Sequence, residues 1–256
     1  MRKIGVLILN KLYVIGIGPG EYEQMTIKAV RTLESADIIV GYKVYVDLIR
    51  DHFADKQFYS TPMMGEIDRC KKAIKYYLSG MTVAVICSGD AGVYGMASLI
   101  YELAESDGIA IEIISGVTAA CSGAALLGAP LTHDFAVISL SDLLTPIDVI
   151  KKRIECAAMS NMCMSIYNPS SKKRGDYLSQ ICEIILNYQP AELICGCAKN
   201  IGRDGESYEI MTLRELKDYA ADMFTTVFVG NSYTKIIGGK MVTPRGYAEK
   251  YEDKIV

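Results

Sequence analysis

Leu12-Tyr13-Val14-Ile15-Gly16-Ile17-Gly18-Pro19-Gly20 reads as a buried strand running into a glycine loop, with a helix beginning near Thr26. Leu12, Val14 and Ile15 supply the short apolar run of a strand covered on both faces. Gly16, Gly18 and Gly20 let the backbone turn sharply and let a ligand approach amide groups with no Cβ between them. Pro19 fixes one φ and stiffens the loop. A glycine loop after the first strand suggests a nucleotide, but the spacing here is G-x-G-x-G rather than G-x-G-x-x-G. The second strand, Ile38-Ile39-Val40, ends in Gly41-Tyr42 and lacks the acidic ribose ligand of a dinucleotide fold. No G-K-[ST] is present, so the lysine that cradles a triphosphate is missing. By itself the loop serves equally as a ligand cradle or as a tight strand-to-helix turn.

Outward from this stretch, strand and helix patterns alternate, the signature of a parallel α/β architecture. Thr26 is the N-cap of a helix to Ser35, with Ile27, Val30 and Leu33 on one face. A helix from Glu66 to Ser79 carries Ile67, Cys70, Ile74 and Leu78 on its apolar stripe and stops at Gly80. Strands follow at 82–87, 109–114, 135–139, 162–167, 192–197 and 225–229, with helices at 95–105, 146–159 and 175–187. Thr212 and Glu215 match a capping box. The domains expected are 11–115, with the glycine loop, and 116–248, and a cleft between them is the natural ligand site.

With 256 residues, half of them apolar and 22% charged, the chain has the composition of an ordinary folded protein. A net charge of −3 gives no global attraction to nucleic acid, so anion binding must come from local clusters. Eight cysteines without a C-x-x-C read as buried thiols in a reducing cytoplasm. Two histidines, His52 and His133, cannot build a His-rich metal site, so no structural metal is expected. Residues 1–10 are too short an apolar run, without a cleavage site, for a signal peptide and read as a leader to the first strand. The stretch 113–133 has no charged residue with histidine neutral, yet Gly116, Gly123, Gly128 and Pro130 interrupt it, so no membrane span is expected.

Nearly every strand ends in glycine or a short polar residue: Gly18-Pro19-Gly20, Ser88-Gly89-Asp90, Gly116-Val117-Thr118, Tyr167-Asn168-Pro169 and Gly230-Asn231. Several such tips together favour a pocket for a polar small molecule at the carboxyl ends of the strands. Gly16 to Gly20 followed by Met25-Thr26, then Ser88 to Met96, then Gly116-Val117-Thr118-Ala119 resemble the tetrapyrrole methylases. The likeness narrows at 134–146, with its Ser139-Leu140-Ser141-Asp142-Leu143-Leu144-Thr145-Pro146 segment. Tyr167 to Arg174, Gly230-Asn231-Ser232 and Thr243-Pro244-Arg245-Gly246-Tyr247 narrow it further. These resemble the branch that methylates C-17 of a precorrin-3-type macrocycle in cobalamin biosynthesis. The resemblance spans Leu12 to Tyr247; one departure is Ser115, where the family usually has a proline before the glycine.

The resemblance implies two α/β domains with mainly parallel central sheets. It implies S-adenosylmethionine as methyl donor and transfer to C-17 of a precorrin-3B or cobalt-precorrin-3 type substrate, with ring contraction to the precorrin-4 level. Ile17, Gly18, Pro19 and Gly20 would abut the donor, and Gly89, Asp90 and Val93 would hold its amino-acid and ribose portion. Thr118 and Ala119 would contact it by hydroxyl and backbone, and Tyr167 with the loop near Asn200 would enclose the adenine. A macrocycle rich in carboxylates calls for a basic patch, for which Lys172, Lys173 and Arg174 are candidates with Arg245 behind them, and Ser141 as a further substrate contact. Ring contraction requires proton transfers, for which Asp142 and His133 are the available groups. A homodimer is expected from the resemblance.

Three rivals stand beside this reading. A nicotinamide-dependent oxidoreductase needs the acidic residue that Gly41-Tyr42 does not supply. A tetrapyrrole carrier could dispense with the donor motifs that are present. A sister methylase acting at another macrocycle carbon, or on protein or RNA, is separated by the Ser-Leu-Ser-Asp segment. The sequence leaves open whether the substrate carries cobalt.

Overall fold

The short apolar runs become short central strands with helices between them, as a computed structural model describes for residues 10–105, 108–171 and 175–250. The chain divides into two compact units between Thr118 and Ala119. The first contains β1 (Leu12–Gly16), α1 (Ile27–Ser35), β2 (Ile38–Tyr42), α2 (Lys43–Ile49), β3 (Gln57–Thr61), α3 (Glu66–Leu78), β4 (Val83–Cys87), α4 (Ala97–Ala104) and β5 (Ile111–Ile114). Its sheet has the order β3-β2-β4-β1-β5, with every pair parallel. Alternate strand residues feed two cores. Leu12, Val14, Val40, Val83 and Val85 pack with Cys70 and Ala73 of α3 and Ile100 of α4. Ile15, Ile39, Ala84 and Ile86 pack with Ala29 and Leu33 of α1 and Val46 of α2. Both faces are therefore covered, as a parallel sheet requires.

The apolar stripes of two helices differ from expectation. In α1 the buried residues are Ala29, Thr32 and Leu33, whereas Ile27 is exposed. At 100° per residue Ile27 lies roughly opposite the centre of that stripe. In α3 the buried set is Arg69, Cys70, Ala73 and Ile74, and Ile67 and Leu78 are exposed, roughly 100° around the helix from its centre. Thr26 does cap α1, its hydroxyl accepting from the Ala29 amide at 3.1 Å.

The second unit contains α5 (Ala119–Leu127), β6 (Gly128–Ala129), β7 (Phe135–Ser139), α6 (Ile147–Met159), β8 (Cys163–Tyr167), α7 (Tyr177–Leu186) and β9 (Ile194–Lys199). It continues through β10 (Ser207–Thr212), α8 (Leu213–Lys217), β11 (Thr225–Val229), β12 (Lys235–Ile237), β13 (Lys240–Val242) and α9 (Tyr247–Lys250). Its main sheet has the order β10-β9-β11-β8-β7. Here the expected parallel pairing holds only for β7 with β8; the β8–β11, β11–β9 and β9–β10 pairs are antiparallel. The cause is connectivity: β10 returns beside β9 through a short loop, and β11 then inserts between β8 and β9 in the opposite direction. One face packs on α6, α7 and α8, the other on α5. The capping box at Thr212 and Glu215 is formed. No helix among the described residues is long and apolar enough to cross a membrane.

Candidate functional site

All five strands of the first sheet point their carboxyl ends the same way, so their tips gather on one edge. The register sets Gly16 beside Cys87. Beyond it the Ile17 amide donates to the Cys87 carbonyl at 2.9 Å. Gly18 and Gly89 then exchange a pair of backbone hydrogen bonds of 3.1 and 2.7 Å. Gly18 has φ +75°, a left-handed conformation that favours glycine. A Cβ on Gly16 would lie 2.5 Å from the Gly89 carbonyl oxygen and 2.7 Å from the Gly116 nitrogen, and one on Gly116 would also strike Gly89. At both positions the missing Cβ is filled by neighbouring backbone; for Gly16 this corrects the expectation that it leaves room for a ligand. These glycines let three strand tips touch.

Asp90 holds the cluster. One carboxylate oxygen accepts from the Gly92 amide at 2.8 Å and the other from the Gly116 amide at 2.9 Å, tying the tip of β4 to that of β5. Hydrogen bonds to a charged acceptor are the stronger kind. Thr26 adds a second tie, donating to the Ser115 carbonyl at 3.2 Å. The Ile17 side chain is only 1% exposed and belongs to the core, so it can meet a ligand through its backbone alone. Pro19, Gly20 and Gly89 are buried in the loop cluster, with Asp90, Val93 and Thr118 half-buried around it. Among the described residues the amides of Gly20 and Val93 have no hydrogen-bond acceptor, which suits them to a ligand rich in oxygen and nitrogen.

In the second unit the strand directions sort the candidates. The Tyr167 hydroxyl, at the end of β8, accepts from the Ala120 amide at 2.7 Å, so Ala119 and the start of α5 lie at that end. Beside it, Ser139 Oγ accepts from Asn168 Nδ2 at 2.9 Å and from the Ser141 amide at 3.1 Å. Asp142 accepts from the Tyr177 hydroxyl at 2.7 Å. Asn200 follows β9 at this same end; its amide donates to the Phe224 carbonyl at 3.2 Å and its φ is +50°. Ser141, Asp142, Tyr167, Ala119 and Asn200 thus share one edge.

His133, Arg245 and Gly230-Asn231 do not join them. His133 precedes β7 and bonds through Nε2 to the Pro244 carbonyl at 2.8 Å, stacked on Tyr233. It stands a strand length, roughly 15 Å, from Asp142, so the two do not form one acid–base centre. Arg245 is adjacent to Pro244 and so lies at His133's end. Gly230-Asn231 was expected with the other tips, but β11 runs antiparallel and delivers it to the opposite edge, where Asn161 bonds Ser232. Lys172, Lys173 and Arg174 lie outside the described residues. A groove of about 670 Å³ between β7 and α6 is lined by Ile138, Val149 and Met162 and holds none of these candidates.

Sequence reading missed Arg69, buried beside the tips of β2 and β3. Its only signal was position: an arginine next to the apolar stripe of α3. Burial pushes the Cys87 thiol up to about 11, against smaller downward pulls from the Met96 amide and the Arg69 charge, so it is no nucleophile at neutral pH. Among the described residues no group of three or more His, Cys, Asp or Glu side chains could hold a metal.

A parallel sheet with glycine tips latched by an aspartate, followed by a mixed sheet, defines an α/β small-molecule-binding class. The chain belongs to the Tetrapyrrole (Corrin/Porphyrin) Methylases, whose family model matches residues 11–217. It is 44% identical over 238 residues to the probable cobalt-factor III C(17)-methyltransferase of Salmonella typhimurium, covering 92% of this chain and 99% of that protein. It is 43% identical to the cobalt-factor III methyltransferase of Priestia megaterium, covering 94% of this chain but about half, 46%, of that longer protein. The crystal structure of the methyltransferase CobJ matches with a TM-score of 0.86 at 34% identity, covering 92% of this chain and all of that one.

Proposed function

We propose that this chain transfers a methyl group from S-adenosylmethionine to C-17 of a precorrin-3-type tetrapyrrole in cobalamin biosynthesis, with ring contraction. The observation that carries the reading is the Asp90-latched cluster of glycine tips at the carboxyl edge of a wholly parallel sheet, in a chain of this family. The fit is chemical: Gly20 and Val93 offer backbone donors, and Asp90 retains acceptor capacity beside the two amides it holds. S-adenosylmethionine supplies a sulfonium methyl with a good leaving group, so the protein's task is alignment rather than nucleophilic attack. Alignment alone contributes several kcal/mol, up to about 7–11 in favourable cases. Gly18, Pro19, Gly89, Asp90, Val93 and Thr118 hold the donor from the first unit; Ala119, Tyr167 and Asn200 are the contacts assigned in the second.

Ser141 and Asp142 lie on the substrate edge of the second unit, and Asp142, oriented by Tyr177, is the residue for proton transfer. The relatives named for cobalt-factor III favour a cobalt-bearing substrate. The chain works in the cytoplasm as a homodimer. Mass spectrometry of products from methyl-labelled donor, with cobalt-free and cobalt-loaded macrocycle, tests the whole reading: label at C-17 of the cobalt form is expected. Label on neither macrocycle defeats it.

A further inference from the structure

Arg69 is the one charged side chain that is buried among the described residues, at 3% exposure. It projects from the second turn of α3 toward the carboxyl edge of the first sheet. Its Nε donates to Thr61 Oγ1 at 3.0 Å, Nη2 to the Pro62 carbonyl at 3.3 Å, and Nη1 lies 3.6 Å from Met96 Sδ. The guanidinium also stands 6.0 Å from the centre of the Tyr42 ring. Every partner is neutral, and no ion pair among the described residues includes it. A buried charge without an opposite charge is costly and is not retained for stability. Each terminal nitrogen keeps a further N–H beyond the contacts named, in the fork geometry that matches a carboxylate.

The surroundings point the same way. Tyr42 ends β2, Thr61 ends β3, and Met96 closes the loop that carries Gly89 and Asp90. Over this edge, Met63 and Met64 are 51% and 80% exposed, and Met64 has φ +66°. Tyr94, 59% exposed, has φ +54° in the loop after β4. Left-handed backbone at non-glycine residues collects at ligand clamps. Exposed thioether and aromatic groups suit the flat face of a macrocycle.

We infer that Arg69 is a carboxylate subsite: one acidic side arm of a tetrapyrrole displaces the Pro62 carbonyl from the guanidinium, while Met63, Met64 and Tyr94 present apolar surface to the ring. This rests on the polycarboxylate substrate proposed above. The test uses the whole chain, with uroporphyrin, an eight-carboxylate porphyrin, as probe by fluorescence quenching and S-adenosylhomocysteine by calorimetry. Arg69→Gln, which keeps a donor for Pro62, should weaken uroporphyrin binding about tenfold. Arg69→Lys should weaken it about threefold, and both should leave S-adenosylhomocysteine affinity within about twofold of wild type. Unchanged uroporphyrin binding in the glutamine variant overturns the subsite. So does parallel loss of both ligands, which would make Arg69 a structural tie. If the glutamine variant does not fold, the lysine variant decides by the same two readings. Wild-type chain that binds no uroporphyrin overturns the subsite together with the polycarboxylate reading. Wild-type binding that depends on Arg69 without any methyl transfer would sustain the subsite and sink the proposed reaction alone.

Discussion

Asp90 has both carboxylate oxygens committed to amides, so its removal acts on the scaffold as well as on a ligand. Asp90→Ala should lower stability by about 2 kcal/mol, the worth of hydrogen bonds to a charged acceptor. It should also weaken S-adenosylhomocysteine binding about tenfold or more, as read by thermal melting and calorimetry on the same sample; full affinity would remove Asp90 from the donor site. His133→Ala should leave methyl transfer within about twofold of wild type, because His133 binds Pro244 at the far edge of the second sheet; a large fall in turnover would return it to the site. The difference between these residues shows what a linear chain reveals. Ser88-Gly89-Asp90 was legible because a polar tip after a buried run is a local pattern. The misplacement of His133 and Arg245 was not, since it depends on which way distant strands run.

At the scale of the element, the glycine tips are the sharpest test. Gly16→Ala puts a methyl group 2.5 Å from the Gly89 oxygen and should cost about 1–3 kcal/mol, with loss of donor binding. Gly175→Ala meets nothing within 4 Å and should leave both melting and binding unchanged. Equal melting temperatures for the two variants would show that the tips tolerate separation. Helix starts at Thr26 and Thr212 were readable because capping is a matter of side chains a few residues apart. The direction of β11 was not, because Thr225–Val229 is buried along its whole length and an apolar run reads the same either way. Arg69 escaped notice for a related reason: helical spacing shows that it borders the buried face, but only packing shows that it lies within it.

For the whole molecule, burial of thiols makes an alkaline limit. Desolvation pushes Cys70, Cys182 and Cys197 up to about 12 and Cys87 to about 11. The unfolded chain's thiols titrate near 8.5. Each group's folded value is therefore raised, so its stabilisation is complete below the unfolded value and is lost as pH climbs toward the folded one. Between about pH 9 and 12 each such thiol should cost up to about 1.4 kcal/mol per pH unit. Melting temperature followed from pH 7 to 11 should be flat at first and fall steeply beyond about 9; a flat profile throughout would mean these thiols are not sealed from solvent.

The reciprocal bonds between Gly18 and Gly89 have one more effect. Two loops that could have wandered separately are fastened before any small molecule arrives, so little ordering remains for the moment of association. Deuterium uptake at those two amides should be slow in the unliganded chain and change little when S-adenosylhomocysteine is added. Rapid uptake that slows on addition would mean that the guest, rather than the polypeptide, fastens the clasp.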